Sequence, residues 1–315
     1  TEHSNMPSQS LSSTAPRMEV TEWEKELEAM PGEEKAKAMR DLYGKAKPID
    51  ETPELVSSAL EELAGHLSEE QHDKEAFLEA QERIPELVDS VDFRLMFLRA
   101  TQFNAKAAAN RMVKYWKFKV SLFGADVAFR QGGRVLLTDL SEDDLATLDA
   151  LGLFWLPNDE AGRGVLFSRR QKWSSRGRSN LTRLAWYLVQ VALEDVSVQK
   201  NGVVAVIYNV GDFSIVDHFD REGTNLLLQV AFHALPMRVA GVHHCFTSKV
   251  YEIILPITLF FFGPEIRARH RLHPDVDNIV KELVECGLTI DALPTLMGGN
   301  LDLDVAGWKR ERMAV

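Results

Sequence analysis

The 315-residue chain has few cysteines and no long apolar run. Its two cysteines, Cys245 and Cys286, are too few for a disulfide framework or for a zinc site of four thiolates, which favours a reducing, intracellular setting. No apolar run reaches the ~20 residues that cross a bilayer, and the first 30 residues lack the basic-then-apolar order of a secretory signal. We therefore expect a cytoplasmic protein without a membrane span.

Common catalytic motifs are also missing. The sequence contains neither GxxxxGK[ST] nor GxGxxG, the loops that surround phosphates, and it has no GxSxG nucleophile elbow. We therefore predict no enzymatic activity and no resident cofactor. An enzyme that uses Asp212 or His243 on an α/β sheet remains an alternative.

The histidines crowd into a short part of the sequence. His243 and His244 are adjacent in a predicted strand and should point to opposite faces, while His270 and His273 lie at a helix-to-strand junction. We interpret all four as ordinary hydrogen-bonded or surface side chains rather than as metal ligands, and we predict no metal site.

Charge is distributed unevenly along the chain. Residues 1–90 contain 22 acidic and 9 basic residues, a balance of -13, so the remainder carries -11 + 13 = +2. The net charge of -11 argues against nucleic acid as a partner. Between Ala161 and Leu193 there are seven cations and no acid, and Arg267, Arg269 and Arg271 form a second cluster. Such clusters suit either an anionic membrane surface or a face that balances the acidic N-terminal part.

Amino-acid composition and hydrophobic periodicity divide the chain into four regions. Residues 1–20 are polar and aperiodic, which predicts a disordered tail. Residues 21–49 form an acidic helical extension, with a helix from Thr21 to about Gly44, and residues 50–124 form a helical module in which Asn104 caps a helix from Ala105. After Gly124, strands alternate with helices through residue 310.

This second half predicts an α/β fold with a mostly parallel sheet flanked by helices. Continuous apolar runs indicate buried strands. The predicted strands and helices alternate as strand 164–167, helix 180–193, strand 203–210, helix 221–234, strand 239–246, helix 251–262, strand 271–273 and helix 276–286.

The helix predicted over 251–262 is apolar on every side between Ile253 and Phe262. Ten residues extend about 15 Å, half of a hydrocarbon core, so the segment must be buried, cover a cavity or lie at an interface. Pro256 weakens its start and Gly263-Pro264 ends it, which would let it move as a unit. A plain core helix is the alternative.

Six short motifs follow one another in one order. They are Asp92–Asn104 with its Phe-Leu-Arg-Ala, Gly162-Arg163-Gly164-Val165, the strand that ends Tyr208–Asp212, Leu235–His243, Leu255-Pro256-Ile257-Thr258 and Leu293–Gly299. Together they resemble the CRAL-TRIO lipid-binding family, which includes the α-tocopherol transfer protein and cellular retinaldehyde-binding protein. The resemblance covers about residues 55 to 305, so that residues 125–310 are expected to form the lipid-binding domain.

The resemblance implies one hydrophobic ligand in a pocket between the sheet and an apolar gate helix, with no chemistry performed. Pocket residues are expected to be Phe167, Tyr208, Phe213 and Phe246, and gate residues Ile253, Ile254, Ile257, Leu259, Phe260 and Phe261. Basic residues expected to contact an anionic membrane surface are Arg169, Arg170, Lys172, Arg267 and Arg269.

The sequence departs from the phosphatidylinositol-binding branch at two positions. Met237 and Leu255 stand where that branch has a glutamate and a lysine, and neither offers a charge or a strong hydrogen bond. The expected ligand is therefore a carotenoid, retinoid, tocopherol-like or sterol molecule, or less readily a phospholipid. We predict a peripheral, lipid-transferring protein; a ligand-free scaffold module with the same fold is the main alternative.

Overall fold

Five strands form one sheet in the order β1-β2-β3-β4-β5. The computed structural model describes residues 25, 28–69, 73–173, 180–211, 221–249, 251, 255, 259 and 264–314, and every statement below concerns these. The strands are β1 (Leu153–Leu156), β2 (Gly164–Ser168), β3 (Val203–Asn209), β4 (Val239–Phe246) and β5 (His270–His273).

Helices precede the sheet and alternate with its strands. In chain order they are α1 (Gly32–Leu42), α2 (Pro53–Ser68), α3 (Glu75–Arg83), α4 (Pro85–Val88), α5 (Val91–Ala100), α6 (Ala105–Phe123), α7 (Ala125–Ala128), α8 (Glu142–Asp149), α9 (Asn180–Ala192), α10 (Val196–Asn201), α11 (Arg221–His233), α12 (Pro264–Arg267), α13 (Ile279–Glu285) and α14 (Val305–Met313). None of the described helices is long and apolar enough to cross a bilayer.

Local sequence signals set several of these helix boundaries. The side chain of Thr52 accepts a hydrogen bond from Leu55 N, and Pro53 occupies the first turn of α2. Asn104 caps α6 as predicted, with its side chain accepting from Ala107 N at 3.0 Å. Gly124 ends that helix at a φ of 77°, a conformation that favours glycine.

The sheet is mostly parallel, and the predicted α/β class is confirmed. β2, β3, β4 and β5 pair in parallel, whereas β1 joins β2 antiparallel. One extra residue, Ala240, disturbs the register between β3 and β4, so that Val239 and Val242 face the same side. The sequence interpretation missed β1 and α10, which are only four and six residues long.

Helix α1 is held against the back of the sheet by arginines from the second half of the chain. Asp41 is 1% exposed and accepts from Arg238 Nη1 at 2.5 Å and from Arg269 Nη2 at 2.8 Å. Arg163 donates to the carbonyl oxygens of Asp41 and Leu42. Helix α1 is therefore part of the fold, and one residue of the basic clusters, Arg269, helps to neutralise Asp41 within the molecule.

The predicted helical module and the α/β region share one core in the described chain. One set of buried apolar side chains runs from α2 through α6, the sheet and α9 to α13. In the extension, Lys25, Glu28 and Ala29 are helical and a further helix begins at Gly32, after Pro31; the predicted start at Thr21 lies outside the described residues. The predicted tail, residues 1–20, lies outside the described residues, and the proposed region boundaries stay predictions.

Candidate ligand cavity

A cavity lies between one face of the sheet and the helices α9 and α11. The volume of the cavity is about 170 Å³. A single buried water needs only about 10–15 Å³, so the space far exceeds a hydration site. Its described apolar wall comes from β1 to β4, α9 and α11, together with Met237, Leu255 and Leu259.

The burial pattern of the strands shows which face meets this space. Val165 and Phe167 in β2, and Val204 and Val206 in β3, are at most 1% exposed. The residues that alternate with them and line the cavity, Leu166, Ala205 and Ile207, are only half-buried. Because successive side chains of a strand point to opposite faces, one face of the sheet is packed and the other borders the hollow.

A chain of hydrogen bonds joins three polar side chains in the cavity wall. Tyr251 Oη is 3.0 Å from His244 Nδ1, and His244 Nε2 is 2.9 Å from His270 Nδ1. Burial lowers the pKa of both imidazoles from 6.5, that of His270 to about 3, and the neighbouring His270 lowers the pKa of His244 further. Both rings are therefore neutral near pH 7, so the chain adds polar atoms to the wall without adding charge.

The other two histidines form a similar pair on the opposite face. His243 Nδ1 lies 3.0 Å from His273 Nε2, and His273 Nδ1 contacts the Glu282 carboxylate. The fold thus places on His273 the carboxylate of Glu282, nine residues further along the chain. No group of three potential metal-ligating side chains occurs within the described part of the chain, and the contacts agree with the hydrogen-bonded interpretation of these histidines.

These buried histidines predict a loss of stability in mild acid. Burial holds the pKa of His243, His244 and His270 below 6.5 in the folded chain, so the unfolded chain binds more protons once the pH falls below about 6.5. The stabilising contribution of these neutral histidines to the free energy of unfolding should therefore be complete above pH 6.5. It should fall by up to about 4 kcal/mol between pH 7.5 and 5.5, at most about 1.4 kcal/mol per histidine.

Urea unfolding at pH 7.5, 6.5 and 5.5 measures this loss. The carboxylates of Glu51 and Asp139 do not produce it, because their arginine partners hold their pKa values below the ordinary ones and both stay ionised in this range. An equal free energy of unfolding at pH 7.5 and 5.5 would contradict the prediction.

Two of the predicted pocket residues face away from the cavity. Phe167 and Tyr208 lie on the packed face of the sheet, with ring centroids 6.2 Å apart, and Tyr208 Oη donates to Leu296 O. Their neighbours in sequence, Ser168 and Ile207, face the hollow instead. The prediction chose the wrong face because an apolar run buried on both sides does not reveal which side meets open space.

Most of the predicted gate residues lie outside the described residues, namely Ile253, Ile254, Ile257, Phe260 and Phe261. The predicted pocket residue Phe213 also lies outside them. The described Leu259 is 2% exposed and lines the cavity. It forms a small apolar cluster with Tyr251, Leu255 and Phe246, which places the predicted Phe246 next to the cavity wall. The role of this segment as a gate stays a prediction.

The five basic residues assigned to a membrane surface have different surroundings. Arg170 lines the cavity, with its guanidinium carbon 5.1 Å from the Trp173 ring centre, and Lys172 is exposed. Arg169 and Arg267 are half-buried. Arg269 binds the buried Asp41, so its charge is already compensated within the protein.

Several cavity residues were not singled out as site residues from the sequence, among them Ser168, His244, Tyr251 and His270. Strand alternation could have supplied Ser168 once the cavity face was known. The apolar replacements that the sequence interpretation stressed, Met237 and Leu255, do line the cavity.

Helices that precede a five-stranded, mostly parallel sheet define a Sec14-like, or CRAL-TRIO-like, fold. A similar fold occurs in the crystal structure of Sfh5, a Sec14-family CRAL-TRIO protein, with a TM-score of 0.50 over 84% of this chain and 99% of that chain. The two sequences are 12% identical, so the likeness concerns the fold alone. No protein-family model and no curated protein matches the sequence.

Proposed function

We propose that the protein binds one lipid-like molecule in the cavity and carries it to or from membranes, without performing chemistry on it. The observation that carries the proposal is the hollow beside half-buried apolar residues of the sheet, such as Leu166, Ala205 and Ile207. A scaffold module without a ligand would fill this space with its own side chains. The fold shared with a Sec14-family protein supports the same proposal.

The energetics of burial explain why such a cavity needs a ligand and a cover. Enclosing a chain of ~16 methylenes at ~0.8 kcal/mol each provides on the order of 12 kcal/mol, comparable to what the same chain gains in a bilayer. A molecule held this well exchanges only when the cavity opens at a membrane and closes afterwards. The segment around Leu255 and Leu259 is the proposed cover, since both side chains border the cavity.

The nature of the wall disfavours an enzyme that works in this space. The described lining contains no acidic residue, and its histidines are hydrogen-bonded to each other or to Tyr251. An apolar pocket with a few polar groups is typical of a binding site for a small hydrophobic molecule. His243, the alternative catalytic histidine, lies on the packed face, and Asp212 is outside the described residues.

Mass spectrometry of an organic extract of the purified protein tests the proposal. We expect one class of apolar molecule in an amount close to one per protein, and we expect the protein to take up lipid from vesicles after the extract has been removed. A buffer blank and an extract of an unrelated protein purified in the same way are the controls. An extract identical to the blank, together with no uptake from vesicles, would refute the proposal.

A further inference from the structure

A second cavity lies between the helical module and the α/β region. Its volume is about 190 Å³, and its described wall comes from α4, α5, α6, the loop 132–134, α9 and the turn after α11. Helix α9 separates it from the proposed lipid cavity, because Trp186 and Gln190 border the second cavity whereas Ala185 and Val189 border the first. Leu235 borders both. The proposed function makes no use of this second space.

Three buried aromatic side chains, Phe93, Tyr115 and Trp186, form much of this wall. The ring centroids of Phe93 and Tyr115 are 5.7 Å apart in an edge-to-face arrangement, and those of Tyr115 and Trp186 are 4.8 Å apart. A further ring packs favourably against such rings, edge-on or offset. An apolar cavity of about 150 Å³ can hold benzene, so the second cavity has room for a single ring with a small substituent.

The hydroxyl group of Tyr115 has a proton to donate. Tyr115 is 6% exposed, and burial raises its pKa far above the usual value, an effect that the Trp186 indole N–H beside its oxygen offsets only in part. The group therefore stays a phenol. No residue in the described part of the chain accepts the proton of this phenol. A buried hydroxyl without an acceptor is unfavourable, so we expect the acceptor in the space that Tyr115 borders.

The remaining polar side chains of the described wall are already paired. Gln190 Nε2 donates to Val135 O, and Gln190 Oε1 accepts from Val135 N, both at 2.9 Å. Arg134 and Glu194 form an ion pair at the exposed mouth, where Glu194 also binds Arg312. A buried water needs two to four polar partners, and the side chains of the inner wall offer few besides Tyr115. The space therefore suits an apolar molecule better than water.

We propose that the second cavity is a separate binding site for one small, uncharged aromatic molecule, and that Tyr115 Oη donates a hydrogen bond to a carbonyl or ether oxygen on its ring. The three aromatic side chains account for the ring, and the phenol proton accounts for the oxygen. A charged ligand would need an uncompensated partner. The charges at the mouth are paired, and Lys119, the buried cation beside the loop 132–134, already donates to Gly133 O.

Two probes of the same shape test the hydrogen bond. Acetophenone carries a C=O group where α-methylstyrene carries C=CH₂, so only acetophenone can accept the phenol proton. Isothermal titration calorimetry of the purified 315-residue chain gives a dissociation constant for each probe. We expect both probes to bind, and Tyr115→Phe to weaken acetophenone by about fivefold relative to α-methylstyrene, the effect of one net hydrogen bond.

The ratio of the two constants is the measure because it separates recognition from structure. Tyr115→Phe also removes the oxygen beside the Trp186 indole N–H, and any repacking that results acts on both probes alike. A tyrosine with a merely structural role would therefore leave the ratio unchanged.

Three further variants locate the bound probe. Met96 is half-buried in α5 and borders the second cavity, so Met96→Trp should fill the space and abolish binding of both probes. Met313 is 57% exposed in α14, away from this wall, so Met313→Trp is the matched control and should change neither constant. Ala205→Phe narrows the lipid cavity on the other side of α9 and should also change neither.

Four outcomes overturn the inference. They are no binding of either probe at millimolar concentration, an unchanged ratio in Tyr115→Phe, binding that Ala205→Phe abolishes and Met96→Trp does not, and benzoate that binds more than about tenfold better than acetophenone, which would indicate a charged ligand. None of them bears on the proposed function, since lipid extraction and uptake test that separately.

Discussion

Replacing Ala205 with phenylalanine should abolish lipid uptake while leaving the fold intact. Ala205 is half-buried in the middle of β3 and faces the cavity, so the new ring extends into empty space rather than into packed side chains. A ring that excludes about four methylenes of the ligand removes roughly 3 kcal/mol of binding free energy, or about 100-fold in affinity. Uptake of tritiated lipid from vesicles, measured beside urea unfolding of the empty protein, checks both parts.

The matched control for Ala205→Phe is the same substitution at an exposed alanine. Ala146 lies on the exposed side of α8, away from the cavity wall, so Ala146→Phe should leave uptake unchanged. Retained uptake in Ala205→Phe would show that the ligand does not occupy this cavity. A strong loss of stability would instead show that the space closes in solution.

Replacing Asp41 with asparagine should produce the largest loss of stability. Asp41 is the carboxylate that faces both Arg238 and Arg269, whose side chains are only 14% and 15% exposed. Removing one partner of a buried ion pair leaves the other charge uncompensated and costs about 3–5 kcal/mol. Urea unfolding of Asp41→Asn at pH 7.5 measures this loss.

An exposed acid of the same helix supplies the control. Glu33 lies in the first turn of α1 and has no ion-pair partner among the described residues, so Glu33→Gln should change the free energy of unfolding by less than about 0.5 kcal/mol. A stability of Asp41→Asn equal to that of the wild type would mean that water already solvates the two arginines. Helix α1 would then not be fixed to the sheet through this carboxylate.

Much of the fold followed from the sequence because its signals are local. The continuous apolar run over Val203–Asn209 identified a central strand, and Asn104 marked the start of a long helix. The strand–helix alternation then required crossovers and a parallel sheet. Short elements such as β1 were missed because four residues carry too little pattern.

The site was harder to predict, for a physical reason that Ser168 illustrates. Apolar aromatic residues drew attention to Phe167 and Tyr208, yet these pack on the closed face. The cavity face carries smaller residues, such as Ala205 and Ser168, because a hollow exists only where side chains do not fill the space. A single serine between an apolar run and two arginines gives no such signal in the sequence.

The sequence alone determined the class of fold, the order of its longer described strands and helices, and the absence of common catalytic motifs. These properties depend on periodicity and on residues near one another in the chain. The tertiary structure decided which face of the sheet is hollow and which basic residues are neutralised. Arg269 donates to the carboxylate of Asp41, 228 residues earlier in the chain, and Arg163 donates to the Asp41 carbonyl oxygen, 122 residues earlier. Such contacts depend on how the helices pack on the sheet, which no local sequence pattern specifies.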